Sequence, residues 1–132
     1  MTGKRILIID DDAHVREACV DILKDLGHTT IAVDDGASAL TEIARATPDV
    51  ILLDLLMPRA KVDGLDFLSL IARGPAAQTP VIILSALGAT LARHMSNEIS
   101  MGLNIAAVLA KPVTLDTLVQ EVARAERVGL SL

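Results

Sequence analysis

The sequence Val50-Ile-Leu-Leu-Asp54 indicates the class of fold, because it is a short apolar run that stops at an acid. Val50–Leu53 has the length and aliphatic composition of a strand buried on both faces of a parallel sheet. Four more short, mostly apolar runs occur along the chain: Arg5–Ile9, Thr29–Val33, Val81–Leu84 and Ile105–Leu109. The sequence therefore predicts five strands of one parallel sheet.

Amphipathic segments separate these runs and predict five helices. The residues predicted to face the core from the first helix are Val15, Ala18, Cys19, Ile22, Leu23 and Leu26, which follow i, i+3, i+4, i+7 spacing. Gly27 is predicted to end this helix. The other helices are predicted over Ala37–Ala46 (with Leu40, Ile43 and Ala44 inward), Leu65–Ala72, Thr90–Met101 and Leu115–Arg127 (capped by Thr114, with Leu118, Val119 and Val122 inward). Strands that alternate with helices predict right-handed crossovers and a doubly wound α/β sandwich.

The charge balance argues against a nucleic-acid-binding domain. The 132 residues carry 12 Lys and Arg against 17 Asp and Glu, which gives a net charge of −5. An acidic domain repels phosphate backbones. The chain also has no Trp or Tyr and one Phe with which to stack on bases. We therefore expect no direct binding of DNA or RNA.

The length and the cysteine content predict one domain in the cytoplasm. Cys19 is the only cysteine, which excludes a disulfide scaffold and fits a reducing compartment. The apolar stretch Ile6–Ile9 is too short for the core of a signal peptide. The longest apolar run, Ile105–Ala110, is too short to span a bilayer.

Polar residues follow four of the predicted strands. Asp10, Asp11 and Asp12 come after the first strand, and the third and fourth end at Asp54 and Ser85. Just past the fifth strand comes Lys111. In open α/β sheets the ligand site lies outside the carboxyl ends of the strands, so these side chains are predicted to meet.

The predicted cluster has the chemistry of phosphoryl transfer. Carboxylates that lie together repel one another unless a cation neutralises them, and Mg²⁺ prefers oxygen ligands of this type. A carboxylate can act as a nucleophile and form an aspartyl-phosphate. Lys111 would add a fixed positive charge for the transferred group.

The same residues lie in motifs that are similar to those of a known family. The segments that carry the similarity are Arg5–Asp11, Pro48–Pro58, Asp63-Gly64, Pro80–Ala86 and Lys111-Pro112. Over about residues 4–127 the chain resembles the receiver domain of response regulators in two-component signalling, and is similar to chemotaxis regulators. The resemblance implies a flavodoxin-like sheet of strand order 2-1-3-4-5 and a single receiver domain over residues 1–132.

The resemblance also implies the function. Asp54 would accept a phosphoryl group from a histidine kinase or histidine phosphotransfer protein, and the domain would then change its binding to a partner, an attached output domain or a second copy. Ser85 would donate a hydrogen bond to a phosphoryl oxygen, and Lys111 would pair with the phosphoryl group. The peptide bond before Pro112 would be cis. Such a domain is not a conventional turnover enzyme.

The resemblance implies Mg²⁺ as the cofactor. Asp11 would be the direct carboxylate ligand, with Asp10 as its partner through water. Asp54 and the backbone carbonyl of Leu56 would complete the ligands from the protein.

The chain departs from the family pattern at three places. Val108 stands where the family has a switch aromatic. The loop between Pro58 and Gly64 is longer than usual and carries Arg59 and Lys61. The segment between the fourth strand and Lys111 is also longer, which resembles receivers attached to EAL-type phosphodiesterases.

Two other functions compete with the phosphoacceptor. A pseudo-receiver, which binds partners without phosphorylation, is suggested by Val108. A phosphohydrolase with an Asp nucleophile would have a second Asp at the position of Leu56.

Several polar and apolar residues have simpler structural interpretations. Asp12 is predicted to cap the first helix, and Asp34 and Asp35 to lie in a turn. Cys19 is predicted to be a small buried hydrophobe. The histidines, namely His14, His28 and His94, are predicted to lie on the surface. On the predicted fourth helix, Met95 and Met101 either pack against the sheet or form a partner surface.

Overall fold

The computed structural model describes residues 3–55, 57, 60–86 and 103–130. Its strands are β1 (Arg5–Ile9), β2 (Thr29–Val33), β3 (Val50–Asp54), β4 (Val81–Ser85) and β5 (Ile105–Ala110). Its helices are α1 (Ala13–Asp25), α2 (Gly36–Arg45), α3 (Gly64–Ile71) and α4 (Leu115–Leu130). The helix predicted over Thr90–Met101 lies outside the described residues.

The five strands form one parallel sheet of order β2-β1-β3-β4-β5. This order confirms the doubly wound, flavodoxin-like fold that was predicted. Because all strands are parallel, their carboxyl ends lie along one edge of the sheet. The three interior strands are buried along almost their whole length, which is why they read as continuous apolar runs.

Hydrophobic clusters cover both faces of the sheet. One cluster contains Ile9 and the fully buried Phe67 of α3. The other contains Ile8 and joins α1 to Leu118 of α4. Successive strand residues point to opposite faces, so each strand contributes to both clusters. Burial of a side chain as large as Phe67 contributes about 1.5–3 kcal/mol.

Helix α1 begins and ends with recognisable caps. The Asp12 carboxylate accepts a hydrogen bond from the backbone N–H of His14, which confirms the predicted cap. At the other end Gly27 has φ +92°, and its N–H donates to the Lys24 carbonyl at 2.9 Å. The N–H of His28 reaches the Leu23 carbonyl at 3.1 Å. This pair of bonds is a Schellman motif, and it requires the left-handed conformation that glycine adopts freely.

Some of the predicted inward positions are exposed, and those predictions were wrong. Leu26 is 45% exposed because it is the C-cap of α1, where the chain leaves the helix. Ala44 is exposed because α2 buries its Ala39 and Ile43 side instead. Ala18 is exposed where it lines a groove of about 470 Å³.

The loop after β3 is joined closely to the rest of the sheet edge. The Gly36 N–H donates to the Val62 carbonyl at 2.9 Å, which ties the start of α2 to this loop. A Cβ added to Gly64 would lie 2.5 Å from the Leu55 carbonyl oxygen, so only glycine fits at the start of α3. Leu55, which follows Asp54, is therefore held against the start of α3, and its N–H donates to the Leu84 carbonyl of β4 at 3.3 Å.

Within the part of the chain that the structure describes, none of the helices combines the length and apolar character that a bilayer crossing requires.

Candidate functional site

The carboxyl edge of the sheet brings together the polar residues that the sequence singled out. Asp54 and Ser85 are the last residues of β3 and β4, and Asp10 and Lys111 directly follow β1 and β5. The exposed fractions of Asp10, Asp54 and Ser85 are 1%, 4% and 0%. Buried polar groups of this kind are costly unless they are paired, so their partners define the site.

Lys111 bridges two of the acids. Its Nζ lies 3.0 Å from Asp10 Oδ2 and 3.4 Å from Asp54 Oδ2. Burial alone would lower the pKa of the Lys111 ammonium. The hydrogen bond and charge of Asp10, together with the charge of Asp54, outweigh burial, so the Lys111 pKa is raised above its usual value. Lys111 therefore keeps its positive charge at the centre of the cluster.

The backbone also fixes the position of Lys111. Its N–H donates to the Ser85 carbonyl at 2.9 Å, which continues the pairing of β5 with β4 past the end of the strand. The peptide bond between Lys111 and Pro112 is cis, as the resemblance implied.

Each polar group of Asp10 has a partner. Its N–H donates to the Val33 carbonyl at 3.1 Å, and its Oδ1 accepts from the Asp12 N–H at 2.9 Å. Its carbonyl accepts from Arg16 Nη1 at 2.7 Å, and its Oδ2 faces Lys111. Arg16 was missed by the sequence reasoning. The only signal was a cation one turn into the helix that follows the acids.

Asp10, Asp11 and Asp54 form a cluster with the chemistry of a metal site. Each offers a carboxylate oxygen, and these oxygens all lie within 4.8 Å of one another. Asp11 is half-buried, whereas the other two are buried. Lys111 contacts two of these three carboxylates, so the three acids keep an excess of negative charge over the lysine. Hard oxygen donors with this charge fit Mg²⁺.

Other residues that the sequence analysis named lie outside the described residues or away from the acids. Leu56, whose carbonyl was a predicted ligand, is outside, as are Arg59, His94, Met95 and Met101. Val108 is half-buried in β5 and packs against the cluster around Phe67. Val108 therefore places a branched aliphatic side chain at the position where the family has an aromatic residue.

Among the described residues, His14, His28 and Cys19 are not part of the cluster. His14 is exposed as predicted. His28 is half-buried, and its Nδ1 accepts a hydrogen bond from the Lys4 N–H at 3.1 Å, so the prediction of a surface histidine was wrong there. Cys19 is 4% exposed, which confirms the buried hydrophobe. Burial, with a smaller effect of the Asp10 charge, raises the Cys19 pKa to about 11, although the Lys111 charge opposes this.

The chain is similar in sequence to a known protein family over most of its length. The family model described as "Response regulator receiver domain" matches residues 6–123. The chain belongs to the response regulator receiver domain family. Receiver domains bind Mg²⁺ at an acidic pocket, interact with histidine kinases and output domains, and are generally not turnover enzymes.

Individual relatives agree with this assignment. Regulator of RpoS from Escherichia coli (strain K12) is 36% identical over 115 residues, which is 86% of this chain and 32% of that protein. Response regulator MprA from Mycobacterium tuberculosis (strain H37Rv) is 36% identical over 116 residues, covering 86% of this chain and 46% of MprA. This receiver domain thus spans less than half the length of these relatives.

A solved structure shows the same fold. The receiver domain of NtrX from Brucella abortus superposes with a TM-score of 0.78 at 30% sequence identity. The match covers 92% of this chain and 98% of the NtrX receiver domain. The similarity therefore extends over the whole of that receiver domain.

Proposed function

We propose that Asp54 of this receiver domain accepts a phosphoryl group from the phosphohistidine of a histidine kinase or histidine phosphotransfer protein. The observation that carries the proposal is the contact of Lys111 Nζ with both Asp10 and Asp54 at the carboxyl edge of the sheet. A buried carboxylate beside a fixed cation and two further acids has what phosphoryl transfer requires, namely position and charge neutralisation.

The proposed transfer forms one bond and breaks one. A carboxylate oxygen of Asp54 attacks phosphorus, the phosphorus–nitrogen bond breaks, and the imidazole nitrogen keeps its electron pair and takes up a proton. Lys111 pairs with the phosphoryl oxygens as they approach, and the Ser85 hydroxyl donates a hydrogen bond to one of them. The contact of Lys111 with Asp54 and the place of Ser85 at the end of β4, the strand next to β3, support these roles.

The proposed cofactor is Mg²⁺. Asp10, Asp11 and Asp54 would hold it, together with the backbone carbonyl of Leu56. Bound there, Mg²⁺ would neutralise charge on the transferring phosphoryl group. The fit rests on the three carboxylate oxygens that lie within 4.8 Å of one another.

We further propose that residues 1–132 act as one receiver domain in the cytoplasm, with phosphorylation altering the affinity for a partner protein, an attached output domain or a second copy. A switch of this kind requires different binding free energies in the two states. The alternative is a pseudo-receiver, whose partner binding ignores Asp54. The complete set of acids with a bridging lysine supports the phosphoacceptor.

The test is intact-protein mass spectrometry after incubation with acetyl phosphate and Mg²⁺. We expect one phosphoryl adduct on the wild type, and none when a chelator replaces Mg²⁺. Asp54→Asn removes the acceptor and should abolish the adduct. Asp21→Asn removes an exposed carboxylate from α1, far along the helix from the cluster, and should leave the adduct unchanged.

An unmodified wild type would contradict the phosphoacceptor, as would an adduct that persists in Asp54→Asn. Partner binding that is equal in phosphorylated protein and in Asp54→Asn would favour the pseudo-receiver.

A further inference from the structure

Arg16 contacts the acidic cluster but has no role in the proposed function. It lies in the second turn of α1, is half-buried, and directs its guanidinium back to the end of β1. Its Nη1 donates to the Asp10 carbonyl oxygen at 2.7 Å. A hydrogen bond from a charged donor at this distance is among the stronger ones in proteins.

This bond restrains the peptide unit between the two acids. The carbonyl of Asp10 and the N–H of Asp11 belong to one planar group, so holding the carbonyl fixes the direction in which the chain leaves Asp10 and enters Asp11. The side chain of Asp10 has its own partners, Lys111 and the Asp12 N–H. None of the described residues donates a hydrogen bond to the Asp11 carboxylate, so its direction depends on the backbone before it.

We propose that Arg16 is a positioning residue for the Mg²⁺ site: by holding the Asp10–Asp11 peptide, it keeps both carboxylates directed at one cation. This inference rests on the Mg²⁺ site of the proposed function. It concerns the free receiver domain before any phosphoryl transfer, so it is tested by metal binding alone.

The charge of Arg16 and its positioning role predict opposite changes in Mg²⁺ affinity when the side chain is removed. A guanidinium on the Asp10 carbonyl lies near the proposed site and repels a divalent cation there, so removal of its charge alone would tighten Mg²⁺ binding. Loss of positioning would weaken Mg²⁺ binding, because the carboxylates would then have to become ordered when the ion binds. Partners that orient metal ligands typically change affinity about 10–100-fold when they are removed.

The experiment is isothermal titration calorimetry of MgCl₂ into the unphosphorylated 132-residue chain. We expect Arg16→Ala to raise the Kd for Mg²⁺ about tenfold, the lower end of the range for such partners. Arg45→Ala is the matched control, because Arg45 is also a helical arginine with a short contact to its own helix, to Glu42, and lies on α2. Its Kd should equal that of the wild type.

Thermal unfolding in chelator, followed by circular dichroism, separates positioning from general stability. A purely structural arginine would lower the unfolding temperature of the metal-free protein and leave the Kd for Mg²⁺ unchanged. That result would overturn the inference, as would a Kd in Arg16→Ala that is equal to or lower than the wild-type value. If Arg16→Ala does not fold in chelator, Arg16→Gln replaces it under the same criteria.

The wild type distinguishes this inference from the proposed function. If the wild type binds no Mg²⁺, the proposed metal site fails and the role of Arg16 fails with it. If the wild type binds Mg²⁺ and Arg16→Ala binds it equally well, only the role of Arg16 is wrong.

Discussion

At the scale of single residues, Lys111 is the group on which the buried acids depend. Its Nζ is within 3.0 Å of Asp10 and 3.4 Å of Asp54. Its raised pKa means that the folded protein binds this proton more tightly than the unfolded chain does. The resulting stability is present in full below the pKa of a lysine in the unfolded chain. It is lost as the pH rises through the folded value.

Lys111→Met should destabilise the metal-free protein strongly. Methionine has a similar length but no charge, so two buried carboxylates lose their cation, and loss of one partner from a buried pair costs about 3 kcal/mol or more. Urea unfolding in chelator, followed by circular dichroism, measures the difference. Lys24→Met, at an exposed position near the end of α1, is the control. Equal losses in both variants would show that Lys111 does not neutralise the acids.

Cys19 should make stability depend on pH in the alkaline range. Its pKa is raised from 9.0 to about 11, so between these values the thiol ionises in the unfolded chain but stays neutral in the folded one. The free energy of unfolding should therefore fall as the pH rises from about 9 to about 11, by roughly 2–3 kcal/mol from this thiol. Urea unfolding across this range, with reductant, should give a flatter curve for Cys19→Ala. Parallel curves would refute the prediction.

At the scale of secondary-structure elements, α1 carries several of the residues next to Asp10. Asp12 begins it, Arg16 reaches back from it to Asp10, and Cys19 lies on its buried side. Its end is fixed by Gly27 at φ +92°. The Asp12 cap thus fixes where the helix starts, and so the position from which Arg16 reaches Asp10.

Gly27→Ala should cost stability through the backbone alone. A Cβ at Gly27 would meet nothing within 4 Å, so the penalty comes from the left-handed conformation, about 1 kcal/mol. Gly74→Ala is the control, because an added Cβ there finds the nearest atom at 3.9 Å and Gly27 is the glycine with positive φ among the described residues. Urea unfolding should show the loss in Gly27→Ala only. An unchanged Gly27→Ala would contradict the role of the cap.

Strands were easier to predict from the sequence than helix faces, for a physical reason. A strand buried on both sides leaves a continuous apolar run, so β3 was recognisable from Val50–Leu53 alone. A helix buries one narrow stripe of side chains. Alanines such as Ala18 and Ala44 are compatible with either the buried or the exposed face, so the sequence does not place them. The contact of Arg16 with Asp10 could not be predicted, because it depends on how the chain turns between β1 and α1.

At the scale of the whole molecule, the acidic cluster depends on residues far apart in the sequence. Asp10 and Lys111 are separated by 101 positions, yet they lie 3.0 Å apart. The motif residues were predicted to meet because parallel strands align their carboxyl ends. Global unfolding would disperse the cluster, so any ion bound there is linked to the stability of the whole domain.

Mg²⁺ should therefore raise the unfolding temperature. A free concentration about ten times the Kd adds about 1.4 kcal/mol, which corresponds to about 3–6 °C for a domain of this size. Thermal unfolding by circular dichroism with and without chelator measures the shift. Asp11→Asn removes one of the three carboxylates and should reduce it. An equal shift in that variant would mean that Mg²⁺ binds elsewhere.

The burial of Cys19 has a practical consequence for spectroscopy. The chain has no Trp or Tyr, so it lacks a useful intrinsic fluorophore. Its single native thiol is 4% exposed and stays protonated well above neutral pH, so maleimide reagents should leave it unmodified in the folded protein. A cysteine introduced at the exposed Ser69 of α3 would then be the single rapidly reacting thiol. Dyes or spin labels could be attached there without first removing the native cysteine.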